Sequence, residues 1–316
     1  MQSLVNHQRL ARAVGMAKTP QAQAGLAALV LLSLLPKLNS WMSRGKANNF
    51  EVDDTWDWSK EIVVVTGGSS GIGAKIVSRL ERDKVKVIII DLNAPLEPTG
   101  PNTSFYKADL SVASEIAAVA DAIRNNHGDP TVLINNAGTG IVSPILEMPG
   151  PEILKVCEVN LFAPVYLVKQ FLPAMVKHNH GHVVNVSSMA AFATQACNVP
   201  YACSKNGLLS FHEGIVQECR FVYNAPLVRA TIVHPSWIRT PMIRSLIDSG
   251  KFKDPCSEPE EVADAIVDQI YSGYGAQIFV PRKMKYASLA RGLPTWFQEN
   301  MRDGITGVLL LAMGRL

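Results

Sequence analysis

The chain has 316 residues, 47% of them hydrophobic and 18% charged, with a formal net charge of +3. That length buries a full core, as one large domain or two small ones, and the lack of a basic block argues against nucleic acid as a partner. Five scattered cysteines (Cys157, Cys197, Cys203, Cys219 and Cys256) form no CxxC pair and no Cys/His ligand spacing, so they read as buried thiols in a reducing compartment, with no metal site.

Residues 1–58 have a composition of their own. The first eighteen carry Arg9, Arg12 and Lys18 and no acid, which suits a mitochondrial presequence. Thr19 to Pro36 is uncharged, with a dense apolar run from Gly25 to Leu35. A spanning helix needs ~20 apolar residues, a length this stretch approaches only with Gln21 and Gln23 counted in. It can anchor the protein at a membrane, act as a secretory signal (although no A-x-A-like site follows Leu35), or pack on its own domain. Basic residues on both sides leave its orientation unreadable. The expected organisation is a membrane-anchor or targeting segment over 1–58, a folded domain over 59–285, and a tail over 286–316.

The first strand is expected over 62–66. It ends in Thr66-Gly67-Gly68-Ser69-Ser70-Gly71-Ile72-Gly73, and a helix over 72–83 follows with Ile76, Val77 and Leu80 on one face. Strand, glycine turn and helix in this order suit a dinucleotide. Gly67 turns the chain, Gly71 admits backbone to a pyrophosphate, and Gly73 lets the helix pack closely. The phosphates then sit among Ser69, Ser70 and Ile72, on the open N–H groups and positive dipole of the helix start. A second strand over 85–91 ends in Asp91, eighteen residues past Gly73, placed to accept hydrogen bonds from ribose hydroxyls and to repel a 2′-phosphate. Neither the turn nor the two positions after Asp91 hold Arg or Lys, so NAD(H) is expected ahead of NADP(H).

Further strands are expected over 103–107, 131–135, 182–187, 228–234 and 277–280, and helices over 113–126, 151–178, 199–221 and 258–273. Right-handed crossovers make this an α/β chain with a single doubly wound, parallel, seven-stranded sheet of the Rossmann type. Its ligands bind at the carboxyl ends of the strands. Tyr201 and Lys205, four apart in the helix over 199–221, share one face. A lysine ammonium beside a phenol favours the phenolate and draws a reference pKa of ~10 toward neutrality. Tyr201 is then a proton donor and acceptor at a carbinol or carbonyl oxygen. Ser188, thirteen positions earlier at the end of the fifth strand, can hydrogen-bond the same oxygen.

In register, these motifs resemble the short-chain dehydrogenase/reductase family from about Ser59 to Pro281. Asp109-Leu110 is similar to its adenine-pocket pair, and Asn135-Asn136-Ala137-Gly138 to the segment that steadies the central sheet and lines the cofactor. Asn160 stands where the family keeps an asparagine that anchors a water and proton relay to the active lysine. Ser188, Tyr201 and Lys205 match its remaining catalytic residues. The resemblance implies that Tyr201 and Lys205 also reach the cofactor, and that Pro235, Ile238 and Thr240 lie along the nicotinamide. Ser236 departs from the family, which has glycine there.

Tyr223-Asn224-Ala225-Pro226, the Trp56-Asp57-Trp58 lead-in and the apolar N-terminus look like the membrane-associated retinol and 17-beta-hydroxysteroid dehydrogenase-like branch. The activity implied is hydride transfer between a nicotinamide cofactor and the CH–OH or C=O group of a lipophilic alcohol or ketone of retinoid, steroid, fatty, terpenoid or polyketide type. The resemblance places such a chain at the endoplasmic reticulum or a lipid droplet, with a cytosol-facing site and scope for a homodimer. A mitochondrial location is the alternative. The rival function is a non-catalytic NAD(H)-binding membrane or lipid-droplet scaffold, against which the intact Ser188, Tyr201 and Lys205 weigh.

The stretch 242–259, bracketed by Pro241 and Pro255, carries Ile243, Leu246, Ile247 and Phe252. It reads as a surface helix or a lid, and the family places a substrate lid there. Beyond Pro281, Lys283, Lys285, Arg291, Trp296 and Phe297 precede an apolar run to Met313, which suits an interfacial element or a packed helix. His178, His180 and His182 alternate at a helix-to-strand junction and read as solvated; His234 is the histidine nearest the expected site, within reach of substrate.

Overall fold

The computed structural model describes residues 19–315, which fall into two units divided after Phe50. The basic residues 1–18, read as a presequence, lie outside the described residues. In the first unit, helix α1 (Pro20–Ala47) contains the apolar run and ends in Arg44 and Lys46, whose charge suits a helix C-terminus. Asn49 and Phe50 then adopt positive φ and turn the chain back, bringing the Phe50 ring to 5.9 Å from that of Trp41. Leu34, Leu35, Leu38 and Met42 on this helix are exposed.

The second unit is built on β1 (Ile62–Thr66), β2 (Lys86–Asp91), β3 (Thr103–Lys107), β4 (Val132–Asn135), β5 (Gly181–Val186), β6 (Val228–Pro235) and β7 (Gln277–Val280). These seven strands form one parallel sheet in the order β3-β2-β1-β4-β5-β6-β7. The order reverses between β1 and β4, which opens a crevice at their carboxyl ends. Strand side chains alternate between two apolar faces, as a sheet covered on both sides requires. Val64, Ile88, Leu133 and Val183 pack under α3 (Ala113–His127), α5 (Ala163–His178) and α6 (Val199–Phe221). Val63, Val65, Ile89 and Ile134 pack under α2 (Gly71–Arg82) and α8 (Pro259–Tyr271).

The helix expected over 151–178 is two helices, α4 (Gly150–Cys157) and α5, joined by a π-helical turn over Glu158–Phe162. Among the described residues, this 150–178 stretch is the one helix long and apolar enough by composition to cross a membrane, and its α5 part is packed in the first core cluster.

The lead-in over 51–61 closes the amino ends of the strands. Trp56 stacks on Trp58 at 5.4 Å and lies 4.3 Å from the His180 ring, while Trp58 meets Tyr271 edge-on at 4.5 Å. Arg229, fully buried on β6, donates to the carbonyls of Gly273 and Glu51.

Two sequence expectations need correction here. His182 is buried rather than solvated, because the second residue of a central strand points into the core. Its Nε2 lies 2.8 Å from Thr231 Oγ1, and burial pushes its pKa down to about 3. His180 is largely buried too, 3.2 Å from Glu61 Oε2 and 3.5 Å from Asp53 Oδ2. Of the cysteines, Cys197 and Cys219 are buried and Cys157 and Cys256 half-buried; Cys203 is exposed because the opposite face of α6 is the packed one.

Candidate active site

The glycine turn sits at the carboxyl end of β1. Gly67 and Gly71 adopt φ of 64° and 52°, conformations that favour glycine. A Cβ on Gly73 would lie 2.0 Å from Gly67 O, so the packing expected of that residue holds. The turn has unused hydrogen-bonding capacity. Ser70 caps α2 without a side-chain bond, and the buried Ser69 Oγ has no partner. Free donors at a helix start are the chemistry that binds a pyrophosphate, so the residues present fit a dinucleotide. Ile72 follows in the first turn of α2 and packs on the second core cluster. Asp91 ends β2 beside this turn, its Oδ2 accepting from Ser69 N at 3.1 Å.

Asn136 and Ala137 brace the turn from β4. Asn136 Nδ2 donates to Thr66 O and Gly67 O, and Ala137 N donates to Thr66 Oγ1. Asp109 accepts from Ser111 N and Oγ, hydrogen bonds that lower its pKa. Leu110 and Ile238 are core residues, buried in the first and second clusters. Thr240, just beyond Pro235 and Ile238, approaches within 3.2 Å of where a Gly71 Cβ would stand. The β6 loop is thus folded against the glycine turn. Ser236 is accommodated with an ordinary φ, its N–H donating to Val280 O.

Lys205 lies near the start of α6 on a buried stripe with Leu208, His212 and Ile215, and the half-buried Tyr201 stands one turn before it. Lys205 Nζ is 5.7 Å from the Tyr201 ring centroid and donates to Val186 O at 2.9 Å. Ser188 stands two residues beyond β5, its Oγ accepting from Ala190 N at 3.1 Å. Burial raises the Tyr201 pKa, and the neighbouring Ser188 hydroxyl only opposes that rise. The expected downward pull of Lys205 is not the controlling effect, since Lys205 is itself buried and its own pKa is pushed down to about 8.

Asn160 is fully buried inside the π-helical turn, a distortion that re-aims a side chain. Its Oδ1 accepts from Thr139 N at 2.8 Å, and its Nδ2 donates to Thr139 O and to Ser204 Oγ. Gly138 lies between them, its Cβ position 3.4 Å from Asn160 Oδ1 and 3.5 Å from Lys205 Nζ. The four residues Ser188, Tyr201, Lys205 and Asn160 therefore converge.

His234 is not a substrate contact. It is fully buried, sealed by the rings of Phe192 at 4.8 Å and Phe279 at 5.1 Å, and desolvation holds its pKa to about 4. Sequence reasoning missed Gly140 and the partners of the last helix, which it offered as an interfacial or a packed element. A Cβ on Gly140 would meet Tyr201 Cδ2 at 3.3 Å, so the glycine lets the ring pass; its spacing two after Gly138 was the available signal. Helix α9 (Thr295–Ala312) buries Leu309 against Ile243 and Leu246, alongside Val142, Trp237 and Phe252. Leu246 belongs to the short helix α7 (Arg244–Asp248), and Gln195 Nε2 binds Ile305 O at 3.0 Å. This apolar cluster thus joins separate stretches of chain: Val142, the 237–252 segment and α9.

The family model for short chain dehydrogenases matches residues 61–250. "Dehydrogenase RED2" of Cochliobolus heterostrophus is 44% identical over 201 residues, 63% of this chain and 76% of that protein. Human "Estradiol 17-beta-dehydrogenase 11" is 30% identical over 255 residues, 78% of this chain and 83% of that protein. A metagenomic short-chain oxidoreductase solved in complex with NADP is 27% identical and superposes with a TM-score of 0.58, covering 70% of this chain and 96% of that one.

Proposed function

Because the chain belongs to the short-chain dehydrogenase family and is an NAD(P)-dependent dehydrogenase or reductase, we propose that it works on the CH–OH or C=O group of a lipophilic alcohol or ketone. The observation that carries this reading is the placement of Lys205 Nζ 5.7 Å from the Tyr201 ring and beside Gly138 and Asn160, near the glycine turn. A bound nicotinamide dinucleotide supplies the hydride donor or acceptor. Gly67, Ser69, Ser70, Gly71 and Gly73 would hold its phosphates, and Asp91 its ribose hydroxyls. The Asp91 carboxylate repels a 2′-phosphate, which favours NAD(H).

Tyr201 Oη takes the alcohol proton in oxidation and returns it in reduction. Ser188 Oγ hydrogen-bonds the reacting oxygen as charge develops on it, a kind of stabilisation that supplies a large share of many rate enhancements. Lys205, buried and positively charged below its pKa of about 8, lowers the energy of the Tyr201 phenolate. Asn160, fixed on both sides by Thr139, holds the route for the released proton.

An apolar substrate class is supported by the make-up of the 242–259 stretch, whose Ile243, Leu246 and Phe252 pack with Val142 and Trp237 in one apolar cluster. The name of the human relative, a dehydrogenase of a steroid, fits that class. The apolar α1 would hold the protein at an endoplasmic reticulum or lipid-droplet membrane, where such substrates concentrate. The test is incubation of purified protein with NAD⁺ and alcohols of rising lipophilicity. NADH should appear fastest with large apolar secondary or primary alcohols. Turnover confined to sugars or small polar alcohols would overturn the substrate class.

A further inference from the structure

We infer that residues 282–297 form a second membrane-docking surface, selective for anionic phospholipid and placed at the flank of the substrate lid. Arg282–Gly292 is an eleven-residue 3₁₀ helix. With three residues per turn, side chains at i and i+3 stack in three rows. The row of Met284, Ala287 and Ala290 faces the protein, with Ala290 only 3% exposed. The other two rows look outward. Arg282, Lys285 and Arg291 make a basic row, and Lys283, Tyr286 and Leu289 an amphipathic one, with Tyr286 67% and Leu289 65% exposed. Beyond the helix, Leu293, Trp296 and Phe297 add exposed apolar groups, and Trp296 is 66% exposed.

The charge has one sign. No acidic residue occurs between Asp268 and Glu299, whereas four basic residues do. Lys285 Nζ lies 4.9 Å over the Tyr286 ring, so cation and aromatic act at the same place. Exposed apolar groups interleaved with cations complement an anionic lipid interface: the ammonium and guanidinium groups meet phosphates while tyrosine, tryptophan and leucine sit at headgroup depth.

The surface is tied to the substrate side. Arg291 Nε donates to Phe192 O, four residues past Ser188, and α9 continues from Trp296 to the buried Leu309 against the lid residues Ile243 and Leu246. A bilayer held at this surface lies along the route that a lipid-dissolved substrate takes to Tyr201. The inference goes beyond the proposed function, which uses α1 alone for membrane attachment.

The experiment uses the full chain with Leu289→Cys carrying an environment-sensitive fluorophore, read against the identically labelled parent to subtract the exposed Cys203. Vesicles are phosphatidylcholine alone, or with about 30% phosphatidylserine. On the anionic vesicles emission should shift to the blue and rise about twofold or more; Lys283→Glu with Lys285→Glu, or about 0.5 M salt, should suppress the change. Emission that stays that of water on both vesicle types, even when the chain floats with them, overturns the inference. So does an equal shift on neutral vesicles that charge reversal leaves intact. Turnover of a water-soluble alcohol, measured alongside, separates the two readings. A lost vesicle response with normal turnover removes this surface alone, and a vesicle response without turnover removes the catalytic reading alone.

Discussion

At the carboxyl ends of the strands, polar groups are left open: Ser69 Oγ has no partner, Ser70 makes no cap bond, and Lys205 is buried with a depressed pKa. At the amino ends the same sheet is shut. Trp56 and Trp58 stack on each other, Trp56 packs on His180, Trp58 meets Tyr271 edge-on, and Glu61 binds His180. Both ends bury titratable groups; one spends them on ligand and reaction, the other on holding the lead-in against β1 and β5. Substitutions should divide along the same line, with changes at the open end altering binding and turnover and changes at the closed end altering stability alone.

The largest effect should follow Gly73→Ala. The added Cβ would stand 2.0 Å from Gly67 O and 2.6 Å from Asn136 Nδ2, so backbone must move. Urea unfolding should show a loss of roughly 3 kcal/mol, and NADH fluorescence titration should show binding largely gone. Trp56→Ala should cost about 2 kcal/mol in the same unfolding assay while leaving kcat/KM within experimental error of the parent. A fall in kcat/KM would join the two ends functionally and break the comparison.

Replacing Asp91 with Ser should narrow the NAD⁺ over NADP⁺ preference by about tenfold in kcat/KM, roughly 1.4 kcal/mol. A native preference for NADP⁺ would show another group overriding Asp91.

The smallest effect is a pH dependence with opposite signs two residues apart. The Glu61 hydrogen bond raises the His180 pKa, so its stabilisation is full below the unfolded value of 6.5 and is lost as pH rises through the folded value. Burial lowers the His182 pKa to about 3, so stability falls as pH drops from 6.5 toward that value. His180→Gln should therefore cost about 1 kcal/mol or less near pH 6 and nothing by about pH 9. Unfolding curves at the two pH values check this, and an equal cost at both would assign His180 a packing role only.

The legible parts of the molecule were those in which chemistry dictates residue type at short spacing. The glycine turn, Asp91 at the end of β2 and the Tyr201–Lys205 pair are local patterns, and the strand-and-helix alternation that sets the sheet order is nearly so. Illegible were features made by distant partners. Nothing near Leu309 in sequence announces Ile243 and Leu246, and nothing near His182 announces Thr231, which lets a neutral histidine stay buried. The Tyr201 pKa was misread for a related reason. A spacing of four shows that a lysine is near, whereas the desolvation that dominates depends on everything packed around both groups.

The central claim is that Tyr201 moves the proton at the open end. Tyr201→Phe keeps the ring, the contact with Gly140 and the buried stripe of α6, and removes only the hydroxyl. Paired NADH binding and alcohol turnover on that variant test the claim most directly. NADH affinity should stay within a few-fold of the parent, and turnover should fall by a factor on the order of 10² or more. Turnover near that of the parent would contradict it.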